Sequence, residues 1–383
     1  MEGADALATP QSNREVRMKA WLHTLAMVLV LVAFAGCSQD NAPTAPDGSD
    51  APDALASRNF GHHDGHHGNG GEAVVANRGS GTISVIDART LDVETYDLPA
   101  GDNPPEPMYV VQVGQRVFVG DRANSRVVAF SKGDYDVIGT VPAGQGVFHM
   151  WADGLGRQLW VSNDVDNTMT VIDPHSLTVL ATVPLPADLV AMGGKPHDVV
   201  LPFWGLSAYV TMLGFAEGGY VVKFDTHTFE ETARAAVGGD PHLSVARQRP
   251  WLYVPCQDSN EVRVLNRFTL EQETALDIPG AHGAGMRNDS QYFYTTNISG
   301  GGDDAIWTIR TRTNTLVGSP VDSPYGVPHN LALSTNGKQF FLTHSGGASD
   351  KVTVYRTHGS NPVPDYVGEV TVGLNPFGLA FVK

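Results

Sequence analysis

The chain has 383 residues, 42% of them hydrophobic, with 42 Gly, 24 Pro and 2 Cys. So much glycine and proline suits a turn-rich all-β domain rather than a helical one, and the length is ample for a large core. A formal charge of -16 at pH 7 argues against nucleic acid and against an anionic membrane face as partners, since both need clustered Lys and Arg, and it is compatible with attracting cations.

Near the N-terminus Met18-Lys19 precedes an apolar run from Leu25 to Phe34, followed by Ala35-Gly36-Cys37. These are the parts of an export signal. Its end resembles a bacterial lipobox, in which the cysteine after a small residue is lipidated and becomes the mature N-terminus; Phe34 stands where that family usually has Leu. Translation is expected to start at Met18, with 1–37 as signal peptide and Cys37 as the lipidation site. The alternative is an uncleaved anchor, for which the run is short. A lipid-anchored protein at the periplasmic or cell surface follows. With Cys37 modified, Cys256 is the only thiol left, so no intramolecular disulfide forms.

Residues 38–71 are expected to be a disordered tether, because 38–58 are rich in Ala, Pro, Asp and Ser and have almost nothing to bury. The tether carries His62, His63, Asp64, His66 and His67 between glycines. Such a tract is either a solvated linker or a weak, accessible metal collector.

From residue 72 to 383 the chain alternates short β-rich stretches, such as Thr82-Ile83-Ser84-Val85-Ile86, with Gly, Asn and Asp turns. A four-part unit recurs, beginning near Pro107, Phe148, Pro196, Pro241, Ala281 and Pro328. Four antiparallel strands per unit make one propeller blade. A seventh unit is split: Pro376 to Lys383 supplies an inner strand and Ala73 to Ala100 the outer three. Joining them gives a seven-bladed β-propeller closed by the C-terminal strand, with no free sheet edge.

One column of the repeat carries most of the functional information. It reads Met108, His149, His197, His242, His282, His329 and Phe377, at spacings of 41, 48, 45, 40, 47 and 48 residues. The spacing is that of propeller blades. A closed propeller turns such a column into a ring in space. A single His in a β-turn is usually a hydrogen-bonding turn residue, but five of the chain's 14 histidines in one seven-member column read as a shared metal site.

The ends of the second strands should lie on the same face: Asn77, Asp121, Asn163, Met212, Cys256, Asn297 and His344. Asp121 and His344 are therefore further candidate ligands. His175, His227 and His358 sit in third-strand or loop positions and read as exposed turn residues. Neutral imidazole binds zinc, copper, iron and nickel. Three histidines with Asp121 or a water would satisfy zinc. Copper is the alternative, kept open by Met108 and Met212. Binding is expected to weaken near or below pH 6, because only neutral imidazole coordinates.

The second strands, Leu159-Trp160-Val161-Ser162-Asn163 and Ala208-Tyr209-Val210-Thr211-Met212, resemble the Tyr-Val-Thr-Asn repeat family of bacterial propellers. That resemblance covers Ala73 to Lys383 and implies the fold, not a function. Export, a His-rich N-terminal segment and histidines at the channel mouth together resemble the periplasmic zinc chaperones of the AztD type. The resemblance implies zinc held on the propeller and passed to the solute-binding protein of a zinc importer. It falls on His62, His63, Asp64, His66 and His67 for the flexible segment and on the five column histidines for the ring. The apparent lipid anchor departs from a freely soluble chaperone. A second resemblance, to the propeller of nitrous oxide reductase with its copper cluster in a histidine ring, is architectural. Only five of seven positions are His here, and no cupredoxin domain follows.

Three function classes remain in view. A monomeric, non-catalytic metal chaperone accounts for both ring and tract. A metalloenzyme would use an open coordination position. A surface scaffold would need no histidine ring.

Overall fold

The inner strands of each blade are largely buried on both sides and the outermost is exposed, and the register of each strand decides which neighbour each side chain meets. In Glu72–Asn77, the residues Ala73 to Ala76 are wholly buried. Val74 and Ala76 pack with Val117, Val119 and Phe130, whereas Ala73 and Val75 pack with Phe341 and Val352. A sheet buried on both faces must be stacked between two others. Seven such sheets, each in contact with the next, close a ring.

The structure is a computed structural model that describes residues 70–298 and 304–383. Met18, Cys37, His62, His63, Asp64, His66 and His67 lie outside the described residues. The chain forms an all-β seven-bladed propeller whose one α-helix among the described residues is the single turn Ala187–Ala191. Blades two to seven begin with the inner strands Pro107–Val113, Val147–Ala152, Lys195–Val200, Ser244–Val245, Ala281–Met286 and Pro328–Leu333. Blade one is composite. Pro376–Val382 pairs antiparallel with Glu72–Asn77, which continues into Thr82–Asp87 and Val93–Asp97. The split expected from the sequence is therefore how the ring closes.

Seven apolar clusters, one per blade interface, form the core among the described residues. The largest residues in them are Trp160, Tyr253, Tyr294 and Tyr355, all wholly buried. The turns between third and fourth strands repeat one device. Asp87, Asp173 and Asp225 each accept two backbone N–H bonds from the residues two and three positions on. The following Leu91, Leu177 and Phe229 take left-handed φ of 64°, 57° and 60°. An Asp side chain that mimics a turn is what makes such backbones tolerable. His175 and His227 are the donors in two of these turns and lie on the face opposite the inner-strand starts.

Candidate metal centre

Each inner strand enters its blade through a tight corner and then bulges. In five blades the register with the second strand jumps just after the first pair, in blade four after the second, and in blade five the lone bridge Pro241 to Cys256 precedes pairing at Ser244. Two residues per blade are thus left out of the ladder: Met108-Tyr109, Phe148-His149, His197-Asp198, His242-Leu243, His282-Gly283, His329-Asn330 and Phe377-Gly378. A bulge releases side chains from strict alternation and re-aims them. Here it brings Tyr109, Phe148, His149, His197, His242, His282, His329 and Phe377 into one ring of contacts, while Leu243 turns into the blade core.

The pairing also corrects the column. Val147 pairs Asn163 as Pro196 pairs Met212, so the residue equivalent to His197 is Phe148. His149 occupies the second bulge position, equivalent to Asp198. His149 nonetheless reaches the same place as the others. Ring centroids run from His149 to His197 at 4.8 Å, to His242 at 4.6 Å, to His282 at 3.9 Å and to His329 at 4.7 Å. Tyr109, Phe148 and Phe377 complete the circle, with Phe377 4.1 Å from His329 and Tyr109 3.8 Å from His149. One side of the axis is aromatic hydrocarbon, the other imidazole.

Ligand atoms of His149, His197 and His242 lie within 4.8 Å of one another, as do those of Asp240, His242 and His282. His197 Nε2 stands 3.3 Å from His242 Nε2 and 3.4 Å from Asp240 Oδ1, and His242 Nε2 is 3.9 Å from the same oxygen. Two donors bound to one tetrahedral zinc at 2.0 to 2.1 Å stand about 3.4 Å apart. The triangle is thus close to one face of a coordination tetrahedron. The 3.3 Å pair is a hydrogen bond when one nitrogen carries a proton, and a tetrahedral edge when an ion takes that proton's place.

Outer contacts hold the rings in binding tautomers. His149 Nδ1 lies 3.0 Å from Asp198 Oδ1, and His282 Nδ1 lies 2.7 Å from Gln257 Oε1. Each Nδ1 proton has an acceptor, which leaves each Nε2 bearing a lone pair, and both Nε2 atoms are buried without a hydrogen-bond partner. A buried acceptor without a donor is costly. An ion at the centre satisfies both. Carboxylate or amide behind a ligating imidazole is the usual second tier of a metal site. Asp198 is itself fixed by the N–H groups of Val199 and Leu243, at 2.6 and 2.8 Å.

Burial shapes the protonation. Desolvation, and then the charge of neighbouring imidazoles, hold His197, His242 and His282 well below the ordinary histidine range. Desolvation pushes His329 down to about 3. These four rings are thereby favoured in the neutral form that coordinates metal.

The remaining predicted ligands stand elsewhere. Asp121 is wholly buried, but its oxygens are spent on Arg126 Nε at 2.8 Å, Asn124 Nδ2 at 2.9 Å and the Glu106 N–H at 3.0 Å. It is a corner brace of blade two. Asp121→Asn is expected to cost about 2 kcal/mol through the weakened buried pair with Arg126 and to leave metal affinity unchanged, as denaturant unfolding beside a metal titration would read. His344 uses Nδ1 on the Gly326 carbonyl and Nε2 on the Thr353 hydroxyl, at 3.1 and 2.8 Å, and burial lowers it to about 4. His329 has its Nδ1 between the Asn330 amide and the Phe377 carbonyl, and it belongs to neither ligand group. Cys256 is a buried thiol pushed up to about 12, and Met212 packs in the core between blades three and four. Neither is a soft ligand here.

The carboxylates that do reach the imidazoles, Asp198 and Asp240, went unnoticed in the sequence. Asp240 takes a left-handed φ of 47°, at the corner that Gly146 and Gly280 fill in blades three and six with φ of 81° and 57°. An acid where sister blades use glycine was the available signal.

No family model matches the chain, and no curated protein sequence does. Solved structures do. The periplasmic gluconolactonase of Pseudomonas aeruginosa is 17% identical with a TM-score of 0.64, covering 82% of this chain and 99% of its own. A protein from Lactobacillus plantarum is 14% identical with a TM-score of 0.66, covering 82% and 100%. Hydrazine synthase of Kuenenia stuttgartiensis is 14% identical with a TM-score of 0.62, covering 74% and 91%. At such identities the likeness is one of fold.

Proposed function

We propose that this is an exported zinc-handling protein that holds one ion among His149, His197, His242 and His282 with Asp240, and passes it to the solute-binding protein of a metal importer. The triangle of His197 Nε2, His242 Nε2 and Asp240 Oδ1, with edges of 3.3, 3.4 and 3.9 Å, carries the reading. Nitrogen and carboxylate donors without thiolate or thioether favour zinc over cuprous copper.

Access supports storage and transfer rather than turnover. The four histidines are at most 4% exposed, so an ion leaves only when ligands let go in sequence. Exposed Asp102, Asp166, Glu217 and Asp258 lie on loops of the same face and draw cations towards it. On this reading the His62 to His67 tract collects ions on its tether and exchanges ligands with the cluster one at a time, the chain being held at the cell envelope through Cys37.

Asp240→Gly tests the assignment with little risk to the fold, because glycine suits the left-handed corner. Zinc affinity is expected to fall about a hundredfold, read by competition with a chelator, while the metal-free unfolding midpoint holds or rises. Unchanged affinity, or protein purified without added metal that elemental analysis finds empty and that refuses zinc on titration, refutes the proposal.

A further inference from the structure

The face opposite the histidines has a different chemistry. It is built from the turns that end the inner and third strands, and in blades five and six these carry Arg247, Arg249, Arg267, Arg287, Arg310 and Arg312 against Glu271 and Asp289. Of the six arginines only Arg287 has a carboxylate partner among the described residues, Asp289 at 2.5 Å. Whole-chain charge of -16 hides this sector, because it averages two unlike faces.

A cavity of about 340 Å³ opens within the sector, lined by Arg249, Arg310, Arg312, Tyr292 and two glutamines together with one carboxylate, Asp289, whose charge Arg287 offsets at 2.5 Å. Arg287 and Arg310 sit 5.2 and 5.5 Å from the Tyr292 ring, so the cations are partly pre-placed. Beside the cavity lies an apolar ridge. Trp204 is 65% exposed, Leu206 71% and Phe268 62%. Arg247 joins the two regions, its guanidinium 4.4 Å over the Phe203 ring while the next residues line the cavity.

The ridge is rigid, not a loose loop. Arg157 donates to the Trp204 carbonyl, Thr226 donates to the Gly205 carbonyl, and the Gly205 N–H bonds the Pro202 carbonyl at 2.8 Å. Phe268 is braced likewise: Lys223 donates to its carbonyl at 3.1 Å, and Tyr209 donates to the Arg267 carbonyl at 2.6 Å. Large apolar side chains pinned outward beside unpaired cations are the makings of an interfacial contact.

We infer that this face docks on an anionic lipid bilayer, with Trp204, Leu206 and Phe268 entering the headgroup boundary and the arginine cavity receiving lipid phosphates. A bilayer suits both parts at once, since apolar insertion and phosphate charge come from one surface and tryptophan favours that boundary. Docking this way turns the histidine face outward, towards soluble partners.

The test uses the mature chain from residue 38, so that neither the apolar signal nor an acyl chain contributes, with vesicles of phosphatidylglycerol and phosphatidylethanolamine or of phosphatidylcholine alone. Sedimentation should show binding to the anionic vesicles only, weakened by salt, with a blue shift of tryptophan emission. Trp204→Ser with Leu206→Ser should lower partitioning roughly tenfold or more. Arg249→Glu with Arg312→Glu should lower it roughly a hundredfold at low salt. Cooperative unfolding of each variant verifies the fold. Equal binding to both vesicle types, no binding, or binding untouched by both pairs of substitutions overturns the inference, the last by placing the lipid contact on another face.

Discussion

Replacing His197 and His242 together by alanine empties the metal centre. These two Nε2 atoms form the shortest edge of the donor set, 3.3 Å, and His242 is the one residue common to both groups of convergent ligands. Without them, His149 stands alone in one group and only Asp240 and His282 remain in the other, so neither group can close. Affinity is expected to fall by at least about four orders of magnitude, given the free energy that closed zinc sites hold. His149→Ala or His282→Ala alone breaks just one group and should cost far less. The propeller itself should persist, because the imidazoles sit at bulges outside the strand ladders and the seven blade interfaces are untouched. Elemental analysis and chelator competition would read the first effect, and unfolding of the metal-free protein the second. A double variant that still retains one equivalent of zinc places the site elsewhere.

The propeller was legible because its physics is repetitive. A period of 40 to 49 residues and apolar inner strands recur from blade to blade, Asp-initiated turns mark three of them, and the displaced strand Pro376–Val382 could be matched to its blade by elimination. The site was legible only to within one residue and one shell. Sequence spacing cannot tell which of two unpaired bulge residues faces the axis, so His149 was aligned where Phe148 belongs. Nor can it tell a carboxylate held by its own blade from one that reaches the neighbour. Asp121 lies at a strand end where the Arg126 guanidinium waits five residues on, whereas Asp240 is delivered by a left-handed corner and Asp198 by the second bulge position. These are backbone facts, and residue identity alone does not encode them.

The cluster also makes the metal-free protein sensitive to acid. His197, His242 and His282 lie well below the ordinary range, with His329 at about 3 and His344 at about 4. In the unfolded chain each titrates near 6.5. Above that pH neither state carries the proton, and there is no penalty. As pH falls through 6.5 the unfolded chain gains protons that the folded chain refuses, so stability drops by about 1.4 kcal/mol per histidine per pH unit. Mutual repulsion adds to this, because after one ring is protonated its folded neighbours resist more. A loss of roughly 5 kcal/mol or more by pH 5 is expected, comparable to the whole stability of many domains. Denaturant midpoints of metal-free protein at pH 7.5 and pH 5 would measure it. Bound zinc opposes the loss, since it stabilises only the folded, neutral cluster. Acid should therefore release the ion together with cooperative unfolding, not by gradual protonation near pH 6. Release near pH 6 from a protein that keeps its near-ultraviolet circular dichroism would show that the rings titrate freely and are not the buried cluster described above.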